Sequence, residues 1–456
     1  MDKEQSLKNM AQMPVGKLIL STGIPMIISM VLQAFYNIVD SAFVSNMAQN
    51  GENALNALTL AFPIQILIVA VGIGTGVGVN ALVSRTLGEG NCKKASNVAG
   101  CSVFLAIVIY IIAVVFGILG VKPYIATQTK NPVIYQMAVT YLRICCIASF
   151  GNIFFAVFEK LLQATGLSIY SSIAQIVGAV VNIILDPIMI YGLLGCPEMG
   201  VSGAAWATVI GQVASFAVAL IFHCKFNHSV KIVSIKPTVN IIKGIYSIGL
   251  PAIIAQALMS FMTYGLNIIL VSVNESMVTA YGLYYKLQQF ILFAAFGMRD
   301  ALTPVISFNY GQMNKKRIKD AVKCGVCFTS VIMVFGFCVL EIFATPFAAV
   351  FKLSGETEIQ YISAIRIISV GLLFAGVNIS LQGAFQGLEA GIETLAISFM
   401  RQLVFVIPPA LIFAHLASCN ESLSWTVWLT FIISEGLSCL FAIIFMKRIY
   451  ASKINC

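Results

Sequence analysis

The chain has 456 residues, of which 59% are hydrophobic and only 10% charged, with a mean hydropathy of +0.93. No soluble domain buries so large an apolar fraction, so the composition excludes a soluble globular protein. The net charge of +9 is carried by short segments between apolar stretches. It therefore reads as membrane topology and lipid contact, not as nucleic-acid binding.

Residues Met1–Gly16 are polar and lead straight into a stretch too long for a signal-peptide core, so no cleaved signal is expected. Apolar stretches of membrane-spanning length follow at 17–46, 54–84, 96–120, 134–164, 168–194 and 201–223. After a polar segment, six more run over 243–273, 277–309, 318–349, 358–387, 391–418 and 423–446. A span needs about 20 apolar residues, and backbone polar groups in lipid must be satisfied internally, so these stretches predict helices rather than strands. The expected fold is an all-α polytopic membrane protein with twelve transmembrane helices in two six-helix lobes, residues 1–224 and 241–456, joined by a cytoplasmic linker over 225–240. Lys and Arg concentrate at the N-terminus, in the 2–3, 6–7 and 8–9 loops and at the C-terminus, whereas the opposite loops carry only Lys122, Lys130 and Lys352. Both termini are therefore predicted to be cytoplasmic.

In helix 1, Gln33, Tyr36, Asn37 and Asp40 share one helical face, and in helix 5 so do Gln175, Asn182 and Asp186, the last beside Pro187. An intramembrane carboxylate costs about 2.5 to 3.5 kcal/mol on insertion scales, so each acid marks a candidate functional site. If the two stripes face each other, carboxylate, amide and phenol oxygens would form a hard-ligand site suited to a cation such as Na+. The same pair of buried, like-charged carboxyls suits a proton. The alternative is that Asp40 and Asp186 are hydrogen-bonded acids that fix helix packing. Pro25 and Pro187 each deprive a helix of a backbone bond and permit bending.

Further along, Glu159 lies late in helix 4 beside Lys160, where snorkelling competes with ligand binding. Met259, Met262 and Asn267 in helix 7 and Phe290, Phe293 and Phe296 in helix 8 could line an adaptable pocket for flat organic cations, against a packing or lipid-facing role. Arg299 and Asp300 form either a local charge pair or, through Asp300, part of a cavity in the second lobe. Lys286, Arg401 and Glu435 read equally as structural partners or pathway residues. Cys324 and Cys327 have a metal-pair spacing without a second pair or nearby His, so no structural zinc is expected. Cys196 and Cys419 are the outward-facing cysteines, and their pairing is not readable from the sequence.

An internal repeat organises the whole. Gly23-Ile24-Pro25 recurs as Gly249-Leu250-Pro251, and Ser84, Gly88, Asn91, Lys93 and Lys94 recur 223 positions later as Ser307, Gly311, Asn314, Lys316 and Arg317. Arg143 recurs as Arg366 and Gln163 as Gln386. An even number of helices per repeat implies a parallel repeat about an axis along the membrane normal, and two such lobes suit alternating access around a central site. The repeat breaks its symmetry at the acids: Asn267 falls opposite Asp40, and Pro408 opposite Asp186. With no Gly-Lys-Ser nucleotide loop, an ion gradient is the expected energy source.

The stretches Asn37-Ile38-Val39-Asp40, Asn182 to Pro187, Gly200 to Thr208 and Ser307-Phe308-Asn309-Tyr310-Gly311 resemble those of the bacterial multidrug and toxic compound extrusion (MATE) family over essentially the full length. Arg401, Glu159 and Glu435 resemble its DNA-damage-inducible-type and staphylococcal branch. The resemblance implies two six-helix bundles in a V-shaped antiporter exporting organic, often cationic, drugs in exchange for Na+ or H+. It also implies an ion site on Asp40, Asn182, Asp186 and Thr208, with no other cofactor, and a monomer surrounded by membrane lipid. Some relatives carry an acid in helix 7; this chain has none between Pro251 and Val273, and Asp300 is the nearest substitute. A lipid-linked oligosaccharide flippase of the wider superfamily is the alternative, though it calls for a cationic cavity. An intramembrane enzyme would need a nucleophile with a base or clustered metal ligands, and neither is visible.

Overall fold

The structure, a computed structural model, describes residues 3–47, 51–351 and 353–454. Lys352 and the side chain of Lys3, both used above to assign topology, lie outside the described residues. Among those described there is no strand: the elements are α1 (Lys3–Gln12), α2 (Val15–Ser45), α3 (Gly51–Gly88), α4 (Cys92–Val115), α5 (Val121–Gln128), α6 (Pro132–Ile147), α7 (Phe150–Ala164), α8 (Ser168–Tyr191) and α9 (Val201–Phe226). They continue as α10 (Val239–Val273), α11 (Glu275–Gly311), α12 (Lys315–Val350), α13 (Gly355–Val370), α14 (Leu372–Gly387), α15 (Gly391–Phe399), α16 (Ile407–Cys419) and α17 (Leu429–Ile449). Ten described helical segments are long and apolar enough to cross a membrane, and twelve if the bent pairs α6–α7 (43°) and α13–α14 (48°) each count as one span.

The repeat extends to individual backbone hydrogen bonds. Asn91 N–H donates to the Thr86 carbonyl at 3.0 Å, and Asn314 N–H to the Asn309 carbonyl at 3.0 Å. Leu167 N–H donates to the Leu162 carbonyl at 2.9 Å, and Ala390 N–H to the Phe385 carbonyl at 2.8 Å. Asn91 and Asn314 each cap the following helix through their side chains, to Lys94 N–H at 2.9 Å and Arg317 N–H at 3.1 Å. Both bends fall at equivalent positions too, after Ile147 and after Val370. At the first, Ser149 Oγ donates back to the Cys146 carbonyl at 2.8 Å, a bond that favours bending a helix.

The chain divides into two compact units, one of Met1–Met13 with Ile28–Ile253 and the other of Pro14–Ile27 with Ile254–Cys456. Compared with lobes drawn at 1–224 and 241–456, these units exchange the first halves of α2 and α10. Each division falls two residues beyond a helix-interior proline, Pro25 and Pro251. The first unit also includes the polar 225–240 segment. There Lys231 N–H donates to Ser96 Oγ at 3.2 Å, and the Ser234 carbonyl lies where a Cβ on Gly100 would sit 1.9 Å away.

The first unit is built on α8 and α9, which pack more extensively on each other than any other pair of helices. A Cβ on Gly178 would stand 1.8 Å from Ser215 Oγ and 2.6 Å from the Gly211 carbonyl, so glycine is what lets the two backbones approach. The core of the second unit is centred on α11, α13 and α14, with Tyr281, Tyr284, Tyr361 and Trp428 as its large, fully buried side chains.

Candidate polar site in the first unit

Pairing of α8 with α9, and of both with α7, sets side chains of α2, α7, α8 and α9 around a cavity of about 70 Å³. Gln33 and Tyr36 of α2, Gln175 and Asn182 of α8 and Thr208 of α9 all line it, beside Asn152 of α7. The space is enough for a few waters or a small ion. Gln175 Nε2 donates to Gln33 Oε1, tying the two predicted stripes together.

Asp186 is fully buried and Asn182 nearly so. Asn182 Nδ2 donates to Asp186 Oδ1 at 3.3 Å, one turn away. Pro187, next in the chain, leaves the Ile183 carbonyl without its helical donor. Asp40 is half-buried and lies within electrostatic range of Asp186, Tyr36 and Tyr141. Asp40 Oδ1, Asn182 Oδ1 and Asp186 Oδ2 are buried and accept no hydrogen bond among the described residues. Asn37 is exposed, and its carbonyl accepts from Ser41 Oγ at 3.0 Å.

A group the sequence reading missed adjoins the acids. Gln65 Nε2 of α3 donates to Tyr141 Oη at 3.3 Å and to Cys145 Sγ at 3.4 Å. The signal was present as an i, i+4 stripe of Tyr141 and Cys145 in an apolar helix.

Glu159 corrects the snorkelling expectation: it is buried, and Lys160 even more so. Lys160 Nζ donates to Gln163 Oε1 at 2.9 Å, Gln163 Nε2 to Glu159 Oε1 at 2.8 Å, and the two charges lie 4.0 Å apart. Burial and this Gln163 bridge hold both charges inside the fold.

The remaining sequence candidates belong to the second unit. Asp300 is a partner of Arg299, whose Nε donates to Asp300 Oδ1 at 3.0 Å while its guanidinium sits 4.7 Å from the Phe296 ring centroid. Arg401 is a structural partner of Glu435: Nε donates to Oε1 at 2.7 Å, and Asn378 Nδ2 donates to Oε2 at 2.7 Å. Met262 and Phe296 pack against the unit's core. Met259, Asn267, Phe290 and Phe293 are half-buried, and Lys286 is exposed. Glu341, unremarked in the sequence, accepts from Ser369 Oγ at 2.7 Å. Cys196 and Cys419 are both free thiols.

Up to twelve apolar spans, two repeats of one hydrogen-bond pattern and carboxylates gathered with amides inside a span region are the features of a polytopic membrane transporter built from two repeats. The MatE family model matches residues 25–188 and again 251–412, once on each repeat, and the chain belongs to this family of multidrug efflux transporters. It is similar to multidrug export protein MepA of Staphylococcus aureus strain NCTC 8325, 27% identical over 461 residues covering 97% of this chain and 96% of the relative. MepA of Staphylococcus haemolyticus strain JCSC1435 is 25% identical over 393 residues, 85% of each chain. Among solved structures, a MATE transporter in complex with MaL6 superposes with a TM-score of 0.92 at 25% identity, over 99% of this chain and 100% of that one. A MOP superfamily transporter from Pyrococcus furiosus, described as having a binding pocket of reverse polarity that suggests a different function, matches with a TM-score of 0.88 at 25% identity over 98% of each chain.

Proposed function

We propose that this transporter exports organic cations across the cytoplasmic membrane in exchange for Na+ or H+, working as a monomer with both termini in the cytoplasm. Asp40, Asn182 and Asp186 hold the coupling ion, helped by Thr208 and Tyr36. The observation that carries this reading is the set of three buried, unpartnered oxygens, Asp40 Oδ1, Asn182 Oδ1 and Asp186 Oδ2. A buried acceptor without a donor costs about 1–3 kcal/mol, more when charged. A small hard cation or a proton relieves that cost, and both are the cargo this donor set fits.

Coupling follows if ion binding is stronger in one conformation than in the other. Asp186 neighbours Pro187, where α8 lacks a backbone bond, so neutralising the carboxylate changes the charge at a point already able to bend. Organic cargo that competes for the same negative field would then leave as the ion enters. The cavity itself is lined by neutral polar groups, and the nearest linked charge is the carboxylate of Asp186 behind Asn182; that negative field favours a cationic cargo over the pyrophosphate of a lipid-linked sugar, which would seek cationic side chains.

Dye efflux from proteoliposomes under separately imposed Na+ and H+ gradients tests the proposal. Ethidium export should follow one of the two gradients and vanish in Asp40→Asn and Asp186→Asn. Normal pumping by both variants would make the acids structural and sink the reading.

A further inference from the structure

In the second unit, a cavity of about 580 Å³ opens at the start of α12 between that helix and Pro14–Gly16. Three cationic side chains, Lys316, Arg317 and Lys323, face a single carboxylate there, Asp320. Arg317 is committed to the fold through its Nε bond to Asn309 Oδ1 at 2.8 Å. Lys316 and Lys323 are exposed, and among the described residues neither joins an ion pair.

The repeat gives this cluster its meaning. In the first unit the corresponding turn carries an acid, Glu89, which pairs with Arg85 at 2.9 Å and with Lys94 at 3.5 Å. The 223-residue register that aligns Lys93 with Lys316 puts Gln312 where Glu89 stands. The second unit therefore keeps the counterparts of Lys93 and Lys94, as Lys316 and Arg317, has Phe308 in place of Arg85 and lacks a counterpart of Glu89. Inward along the same face of α12, at steps of three and four residues from Lys316 and Lys323, come Cys327, Val331, Val334, Cys338 and Ile342, all exposed. A basic cavity thus continues into an apolar stripe on a helix of membrane-spanning length.

We propose that this cavity binds the phosphate headgroup of an anionic phospholipid, with Lys316 and Lys323 as its charge partners and the acyl chains lying along the exposed face of α12. A free phosphate would use the same cations but would gain nothing from the stripe. A basic pocket between membrane helices is a suitable receptor for such headgroups, and each cation near the membrane surface is worth about a fivefold gain in retention.

Native mass spectrometry of the purified full-length protein, exposed to equal amounts of phosphatidylglycerol and phosphatidylcholine, provides the test. Wild type should retain phosphatidylglycerol in preference, and Lys316→Ala and Lys323→Ala should each lower that retention about fivefold. Gln312→Glu, on an exposed turn, should lower it similarly by restoring the acid of the first unit without removing any side chain the helices need. Lys93→Ala, at the equivalent position of the first unit, should leave it unchanged. Equal retention of the two lipids, or variants indistinguishable from wild type, would overturn the proposal. Complete displacement of phosphatidylglycerol by inorganic phosphate would overturn it as well, by assigning the cavity to a free anion.

Discussion

The Asn182 side-chain amide donates to Asp186 Oδ1 at 3.3 Å while Asn182 Oδ1 and Asp186 Oδ2, one turn apart on α8, have no hydrogen-bond donor among the described residues. One of this pair's three acceptor oxygens is thus used inside the helix, and the other two are left without a donor. A purely structural acid would be expected to use both oxygens.

Asp186→Asn separates the two roles, because it keeps shape and removes charge. The expected outcome is loss of gradient-driven dye export with an unchanged or higher thermal midpoint in detergent, since an uncompensated buried charge has been removed. A variant that exports normally but melts earlier would identify Asp186 as a packing residue.

Lys160 and Glu159 make the opposite prediction. Their separation is 4.0 Å and Gln163 bridges them, so removing one takes the opposite charge away from a buried ion. Lys160→Met should cost about 3–5 kcal/mol, and most of that should return in the Lys160→Met, Glu159→Gln double variant. Chemical or thermal unfolding of the three proteins in one detergent measures it; equal stability of single and double variants would contradict a coupled pair.

What the sequence made legible follows from periodicity. Gln33, Tyr36, Gln175 and Asn182 share helical faces, and the structure brings them to one cavity. The repeat was readable because loop residues such as Asn91 and Asn314 do the same capping work in each half. Left-handed backbone at the repeat's turns was not, because Gly90 and Gly166 are replaced by Met313 and Glu389, residues that carry no such signal. Partnerships across long separations were hidden for another reason. Glu435 lies 57 residues from Asn378, and Glu341 28 residues from Ser369, and no local pattern records which helices will adjoin. The exchange of the first halves of α2 and α10 between units has the same origin, in tertiary packing beyond Pro25 and Pro251.

The close crossing of α8 and α9 predicts a severe response at Gly178. A Cβ there would overlap Ser215 Oγ and the Gly211 carbonyl, so Gly178→Val must force the helices apart and disturb the cavity they line. A loss of several kcal/mol and of export is expected. Gly282 in α11 is the control: a Cβ there meets nothing within 4 Å, and Gly282→Ala should be neutral or stabilise by up to about 1 kcal/mol through helix propensity. Similar melting temperatures for the two variants would contradict a close crossing of α8 and α9.

Arg401 and Glu435 allow a test of whether the second unit carries coupling chemistry. Arg401 Nε lies 2.7 Å from Glu435 Oε1, Asn378 Nδ2 holds Oε2 at 2.7 Å, and Ser434 Oγ donates to the Arg401 carbonyl, so this carboxylate is answered on both oxygens, unlike Asp186. The charge therefore serves α14, the helical turn at Met400–Val404 and α17 as a tie, and an ion would have to displace a guanidinium to reach it. Arg401→Met should destabilise by about 3–5 kcal/mol, whereas the Arg401→Met, Glu435→Gln pair should regain most of the stability and keep gradient-driven export. Proteoliposome efflux by the double variant decides the point: export with unaltered ion dependence leaves the coupling to the first unit, and its loss in a protein of near wild-type stability would give Glu435 a share in it.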